Sequence, residues 1–298
     1  MPYLFHNKQN GRLTMKSTLN SFARISVAVA FGIMSVGAAA HEVWKTLPFP
    51  TSYPEAVSSG YSDVNGVKIF HAEWGTGDPV ILLHGGLGSI EAFANQIPAI
   101  AENYHVIAID SRGHGRSSRD ATTYSYELMT SDVLAVMDEM NIDKAAFIGW
   151  SDGGIISLEL AINHPQRIEK AFVIGTNYTT AGVDPAVDTN EVFGNYVGAA
   201  AELYAKNSVT PDQFDPFVNA IVEMWGTQPN YTAAQLKSIS APITVAHAME
   251  DEAIFDDHAE EMASLITGAT YMPLEGVSHF AMWQDPDRMN ALILDFLK

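Results

Sequence analysis

The sequence predicts an α/β protein: a mostly parallel central sheet with helices on both faces and a small helical lid. Three observations carry that prediction. Short, almost wholly apolar runs recur at 79–84, 105–110, 145–149, 171–175 and 242–247. Segments of helical pattern separate them, the signature of strands buried on both faces. The alternation halts between 176 and 240 and then resumes, as an insertion into a regular sheet would make it do. At 298 residues, 47% of them hydrophobic, the chain has enough apolar material for one large core.

The first forty residues stand apart from this pattern. Residues 25–37 form an uncharged, mostly apolar run preceded by Lys16 and Arg24 and followed by Ala38-Ala39-Ala40. That order, basic, then apolar, then small, is the pattern of a secretory signal, with the cut expected after Ala40 and His41 as the new N-terminus. The apolar run falls short of the ~20 residues a spanning helix needs, so no stable membrane insertion is expected after cleavage. Counted from Met15 the signal has an ordinary length, which marks Met15 as a candidate start. An uncleaved anchor is the alternative. The expected result is an exported protein, periplasmic or secreted, with a domain over 41–298.

Within that domain, residues 41–57 are Pro-rich and irregular, a surface strap. Asn65-Gly66 between two β-patterned arms, 61–64 and 67–74, predicts a hairpin. The run 79–84 ends in glycines. A helix is expected over 89–102 with Ser89 as its cap, then a strand over 105–110. Residues 126–140 read as a helix with Leu128, Val133, Leu134 and Met137 on its inner face. Strand 145–149, helix 154–163 and strand 171–175 follow. The stretch at about 177–240 is helix-like and rich in Tyr, Phe, Asn and Ala. Inserted at the carboxyl edge of a parallel sheet, where ligands bind, it reads as a lid; a plain excursion away from the substrate is the alternative. The last elements are strand 242–247, helix 257–266, strand 270–273 and helix 285–296.

Composition narrows the function. The net charge is −19, and removing the first forty residues leaves 12 of the 16 basic residues against all 35 acids, a balance of −23. Such a surface repels nucleic acid and anionic membranes, and its plainest reading is solubility; the partner expected on the chemistry below is a small-molecule substrate. There is no cysteine, which excludes disulfides, thiolate catalysis and cysteine-ligated zinc. The ten histidines show no tight metal-ligand spacing, and no cofactor is implied.

The chemistry points to one constellation. Gly149-Trp150-Ser151-Asp152-Gly153 fits G-x-S-x-G at the junction of a buried strand and a helix. A nucleophile there stands clear of the strand end on a strained turn. The glycines admit neighbouring backbone, and the following helix aims its N–H groups at developing negative charge. Serine needs a base, and His279 in Gly276-Val277-Ser278-His279-Phe280, between the last strand and the last helix, is the candidate. His84 and His114 lie near enough to consider but read as structural. The base needs a carboxylate; Asp251 fits, with the adjacent Glu250 as competitor. Two backbone donors would hold the oxyanion: the N–H of Asp152 and that of Gly86 in the turn His84-Gly85-Gly86-Leu87-Gly88. The glycines of that turn have a second explanation, a tight connection needing positive φ.

These residues in this order resemble the α/β-hydrolase superfamily from about Val67 to the C-terminus. The resemblance covers the His-Gly-Gly turn at 84–86, Asp110-Ser-Arg-Gly-His-Gly-Arg-Ser117, the elbow, Asp251 and the His279 loop. It implies a serine hydrolase acting through Ser151, Asp251 and His279 on an ester or related acyl bond. A cofactor-free lyase or perhydrolase on the same triad, or a ligand-binding receptor, are alternatives within the superfamily. The epoxide hydrolases and dehalogenases of this fold use an aspartate nucleophile, which Ser151 is not. Gly149–Gly154 also resembles the elbow of the valacyclovir hydrolase family, in which the acid after the serine binds a substrate amine. That likeness implies a substrate-binding role for Asp152. The sequence departs from the pattern at Ala248-Met249, where a glycine is usual before the acid.

Overall fold

A computed structural model describes residues 42–298; the signal expected over residues 1–40 lies outside them. After a short 3₁₀ turn at Val43–Lys45, strand β1 (Ser58–Val64) turns into β2 (Val67–Trp74) through Asn65 and Gly66, both at positive φ, 48° and 80°. That conformation is the two-residue hairpin turn Asn-Gly favours. Strand β3 (Pro79–Leu83), helix α1 (Ile97–Ala101), strand β4 (His105–Ile109), helix α2 (Tyr126–Glu139), strand β5 (Ala145–Trp150), helix α3 (Asp152–Asn163) and strand β6 (Ile168–Ile174) follow. Three helices, α4 (Glu191–Asn207), α5 (Phe214–Trp225) and α6 (Ala233–Ser238), fill the connection to β7 (Ile243–Ala248). Helix α7 (Asp256–Leu265), strand β8 (Thr270–Leu274), α8 (Ala281–Gln284) and α9 (Pro286–Leu297) complete the chain.

The eight strands form one sheet in the order β1-β2-β4-β3-β5-β6-β7-β8. Its first two pairings are antiparallel and the rest parallel. Every residue of β5 and β7 is buried, so the apolar runs read from the sequence are strands covered on both sides. Helices α2, α3, α6 and α7 pack one against the next, while α1, α8 and α9 form a separate group. Lys170 of β6 donates to the last carbonyls of α9, at Phe296 and Leu297, giving that helix end a cation.

Two expectations need correction. Residues 89–102 are not one helix. A 3₁₀ turn at Ile90–Phe93 and the five-residue α1 replace it, with Pro98 in the first turn of α1. A proline lacks the N–H a continuous helix needs at its interior. Ser89 does not cap; its hydroxyl donates to buried Glu91 at 2.6 Å. In α2, Met129, Val133, Val136 and Met137 are buried, and Leu128 and Leu134 half-buried.

Candidate active site

The turn between β5 and α3 is where the sheet presents Ser151. Its φ of 52° with ψ of −117° is a strained conformation for a side chain with a Cβ. Neighbours over-determine it. The Ser151 N–H donates to Ile174 C=O at 2.8 Å, and its own C=O accepts from Gly154 and Ile155. The flanking glycines are required by space. A Cβ at Gly149 would strike Gly153 and Gly154, and one at Gly153 would run into the Leu83 carbonyl of β3. Helix α3 begins at Asp152, two residues earlier than the sequence suggested, so its N-terminal dipole abuts the serine.

His279 meets Asp251. The Nδ1 of His279 lies 3.0 Å from both carboxylate oxygens, and the Asp251 side chain is wholly buried. Asp251 Oδ1 also accepts the N–H groups of Ala253 and Ile254. Burial would raise the Asp251 carboxyl, but His279 and these donors hold it below the usual carboxylate range. Burial likewise opposes a charged His279, yet the adjacent Asp251 carboxylate raises it above the usual histidine value. With Nδ1–H donating to Asp251, the neutral ring keeps its lone pair on Nε2. The other candidate acid, Glu250, is exposed and has no bond to the ring.

The His279 loop is braced from two sides. Trp150, just before Ser151, donates its indole N–H to His279 C=O at 2.9 Å. Gly175, φ 56°, lets the end of β6 pass beside the pair: a Cβ there would sit 2.9 Å from His279 Nδ1 and 3.2 Å from Asp251 Oδ2. A third brace was not foreseen: Glu252 accepts the His279 N–H at 3.0 Å, and burial pushes its carboxyl up. Nothing in the sequence separates Glu252 from its acidic neighbours.

The turn after β3 explains its glycines differently from what was expected. Positive φ falls on Leu87, at 63°, not on the glycines of 85–88. The glycines are there for clearance. A Cβ on Gly85 would lie 2.8 Å from the Trp150 ring and 3.0 Å from Ser151 Cβ. A Cβ on Gly86 would collide with the Trp225 indole and come within 2.7 Å of Asp152 Oδ2. His84 and His114 behave as structural residues. His84 Nδ1 pairs with Gly85 C=O and its Nε2 accepts the Ser111 N–H, while burial pushes the two rings down to about 4 and about 3.

Asp152 points neither to solvent nor back into its helix. Its buried carboxylate accepts the Tyr126 hydroxyl at 2.9 Å and the Trp225 indole N–H at 3.0 Å on each oxygen. Burial pushes it up to about 6 against the pull of those two neutral donors. The helical insert thus reaches the site. Trp225 comes from α5, and Tyr196 of α4 donates its hydroxyl to Gly86 C=O at 2.7 Å. Phe193, also of α4, has its ring centroid 6.3 Å from that of His279. Among the described residues no three His, Asp or Glu side chains gather as a metal-holding cluster.

The family described as alpha/beta hydrolase fold matches residues 78–212. A non-heme chloroperoxidase of Streptomyces lividans is 28% identical over 275 residues, 78% of this chain and 97% of that one. The 2-hydroxymuconate semialdehyde hydrolase of Pseudomonas sp. (strain CF600) is 26% identical over 257 residues, 78% of this chain and 91% of the relative. Among solved structures, Est816, described as an N-acyl homoserine lactone degrading enzyme, superposes with a TM-score of 0.65 at 29% identity. That match covers 80% of this chain and all of Est816.

Proposed function

The chain belongs to the α/β-hydrolase superfamily, and we propose that it acts there as a serine hydrolase on the ester or related acyl bond of a small molecule. One observation carries the reading: a buried carboxylate–imidazole pair, Asp251–His279, tied by Trp150 to a serine held at positive φ at a helix N-terminus. In the proposed reaction His279 Nε2 takes the Ser151 proton as Oγ attacks the carbonyl. The N–H groups of Gly86 and Asp152 receive the oxyanion, aided by the α3 dipole. His279 then protonates the leaving group, and water repeats the sequence on the acyl-enzyme. Asp251 keeps the ring in the tautomer that leaves Nε2 free and stabilises the imidazolium.

A fluorophosphonate probe followed by peptide mapping tests this. Label on Ser151 in the wild-type protein and none in Ser151→Ala is the expected result; equal labelling of both overturns the mechanism.

Two finer proposals attach to it. The non-heme chloroperoxidase relative favours, as a second reading, perhydrolysis on the same triad: hydrogen peroxide attacks the acyl-enzyme in place of water, releasing a peroxy acid. Peroxy-acid yield from a short ester with added peroxide decides it. The Asp152 carboxylate, whose bonding partners are both neutral, supports a substrate ammonium contact. Asp152→Ala should then reduce turnover of amino-acid esters more than that of plain esters. The basic, apolar, small-residue order of the first forty residues supports export, so the reaction would run outside the cytoplasm.

A further inference from the structure

We propose that two aromatic side chains of the helical insert divide the substrate between them, Trp225 bounding the acyl group and Phe193 the leaving group. This assignment rests on the serine-hydrolase reading above and adds which residues set its specificity.

Trp225 is fixed where it stands. It ends α5, whose Phe217, Val218, Ile221 and Met224 are buried and anchor the helix. Its indole N–H is shared between the two oxygens of Asp152, which sets the plane of the ring. The benzo edge, at Cζ2, lies over Gly86 so closely that even a Cβ on that residue has no room. The ring is therefore a wall beside one of the two proposed oxyanion donors, and Asp152, the other donor, holds it there.

Phe193 stands elsewhere. It lies in the first turn of α4, where Asn190 caps the N–H groups of Val192 and Phe193. Its half-buried ring faces His279 and Phe280 at centroid distances of 6.3 and 6.2 Å. Tyr196 separates the two walls; it is buried, its ring lies 5.8 Å from that of Phe193, and its hydroxyl is spent on Gly86 C=O.

The chemistry of the reaction tells these walls apart. A carbonyl carbon attacked by Ser151 carries an oxygen between the two N–H donors, an acyl substituent and a leaving group. The leaving atom must come within reach of His279, which protonates it. The leaving group then points toward the histidine and Phe193. The acyl substituent takes the remaining side, which the indole of Trp225 bounds next to Gly86. A wall held by hydrogen bonds this near the reacting centre limits the acyl group to a short or narrow one. Bulk is less restricted beside the partly exposed Phe193.

Two ester series test the assignment: p-nitrophenyl esters of acids from two to eight carbons, and acetates of alcohols of increasing size. Trp225→Ala should raise the octanoate-to-acetate ratio of kcat/KM about tenfold or more, the scale on which a pocket wall discriminates methylenes. It should leave the ratios within the alcohol series within about threefold. Phe193→Ala should do the reverse, and Trp225→Phe, which loses both the benzo edge over Gly86 and the N–H that holds it, should shift the acyl ratio in the same direction as Trp225→Ala but by less. Ratios taken within one variant cancel any loss of folded protein. Parallel changes in both series, or the two effects exchanged, overturn the assignment while leaving the triad standing. A wild-type protein that neither cleaves these esters nor takes the fluorophosphonate label at Ser151 overturns the hydrolase reading, and the assignment falls with it.

Discussion

Asp152 should contribute less to the stability of the folded protein at neutral pH than at pH 4, and the stability difference between wild type and Asp152→Asn should therefore depend on pH. The carboxyl is buried, pushed from 3.8 to about 6, and meets two neutral donors but no cation in direct contact. An acid with a raised folded value binds its proton more tightly in the folded chain than in the unfolded one. Its cost is therefore absent below the unfolded value and grows as pH rises. It is complete above the folded value, near pH 7. A rise from 3.8 to about 6 corresponds to about 3 kcal/mol at that plateau.

Asparagine carries no charge but offers one carbonyl where the carboxylate offered two oxygens. Tyr126 and Trp225 would compete for it, a loss of about 1 kcal/mol. The variant should then be about 2 kcal/mol more stable than wild type at pH 7 and about 0.5 kcal/mol less stable at pH 4, where the partly ionised carboxyl still costs wild type about 0.5 kcal/mol. Urea unfolding followed by tryptophan fluorescence at several pH values between 4 and 8 measures both. A stability difference between the two proteins that stays constant across that range refutes the argument, because a constant offset cannot come from titration.

Other outcomes follow from the same geometry. Asp251→Asn should lower kcat about 10⁴-fold by favouring the wrong tautomer of His279, while Glu250→Gln, exposed and unbonded to the ring, should change it by less than about twofold; equal losses would move the acid to Glu250. Because His279 must be neutral to accept the serine proton and Asp251 raises it, kcat/KM should fall with decreasing pH at an apparent value above the ordinary histidine value of about 6.5. Gly153→Ala should lose about 2–3 kcal/mol in urea unfolding, since its Cβ meets the Leu83 carbonyl of a neighbouring strand that cannot give way. Full-length chain expressed in an exporting bacterium should be recovered outside the cytoplasm with His41 at its N-terminus by sequencing; recovery only as intact 1–298 would contradict cleavage.

Much of this was legible because the signals were local. Asn65-Gly66 states its own turn type, and the buried strands betray themselves as unbroken apolar runs. The elbow is readable because strand, glycines and helix follow in five residues. What failed needed non-local knowledge. Residues 89–102 read as one helix, yet Pro98 starts a separate short helix after the turn at Ile90–Phe93. Ser89 has the residue type of a cap, but buried Glu91 beside it accepts its hydroxyl hydrogen bond instead. Asp251 is favoured by spacing and chain order with Glu250 as its neighbour, and β7, which ends at Ala248, turns Asp251 inward while Glu250 is exposed. Trp225 and Phe193 were visible as aromatic residues, yet nothing in a helix of mixed pattern says which neighbour each will cover.

The site's distinguishing property is how much converges on the residue Gly86. Its Cα face is covered by Trp225, its C=O accepts from Tyr196, and its N–H is the proposed oxyanion donor. Both covering groups belong to the helices between β6 and β7, so this insert cannot lift away while keeping either bond. The Trp225–Asp152 and Tyr196–Gly86 hydrogen bonds would have to break together, at about 1 kcal/mol each if water replaces the partners and more for the one on a carboxylate. A substrate that enters from the insert's side must supply that energy from its own contacts. The insert is then better described as a wall tied to the site than as a freely swinging cover, and the acidic residue next to the nucleophile is one of its anchors.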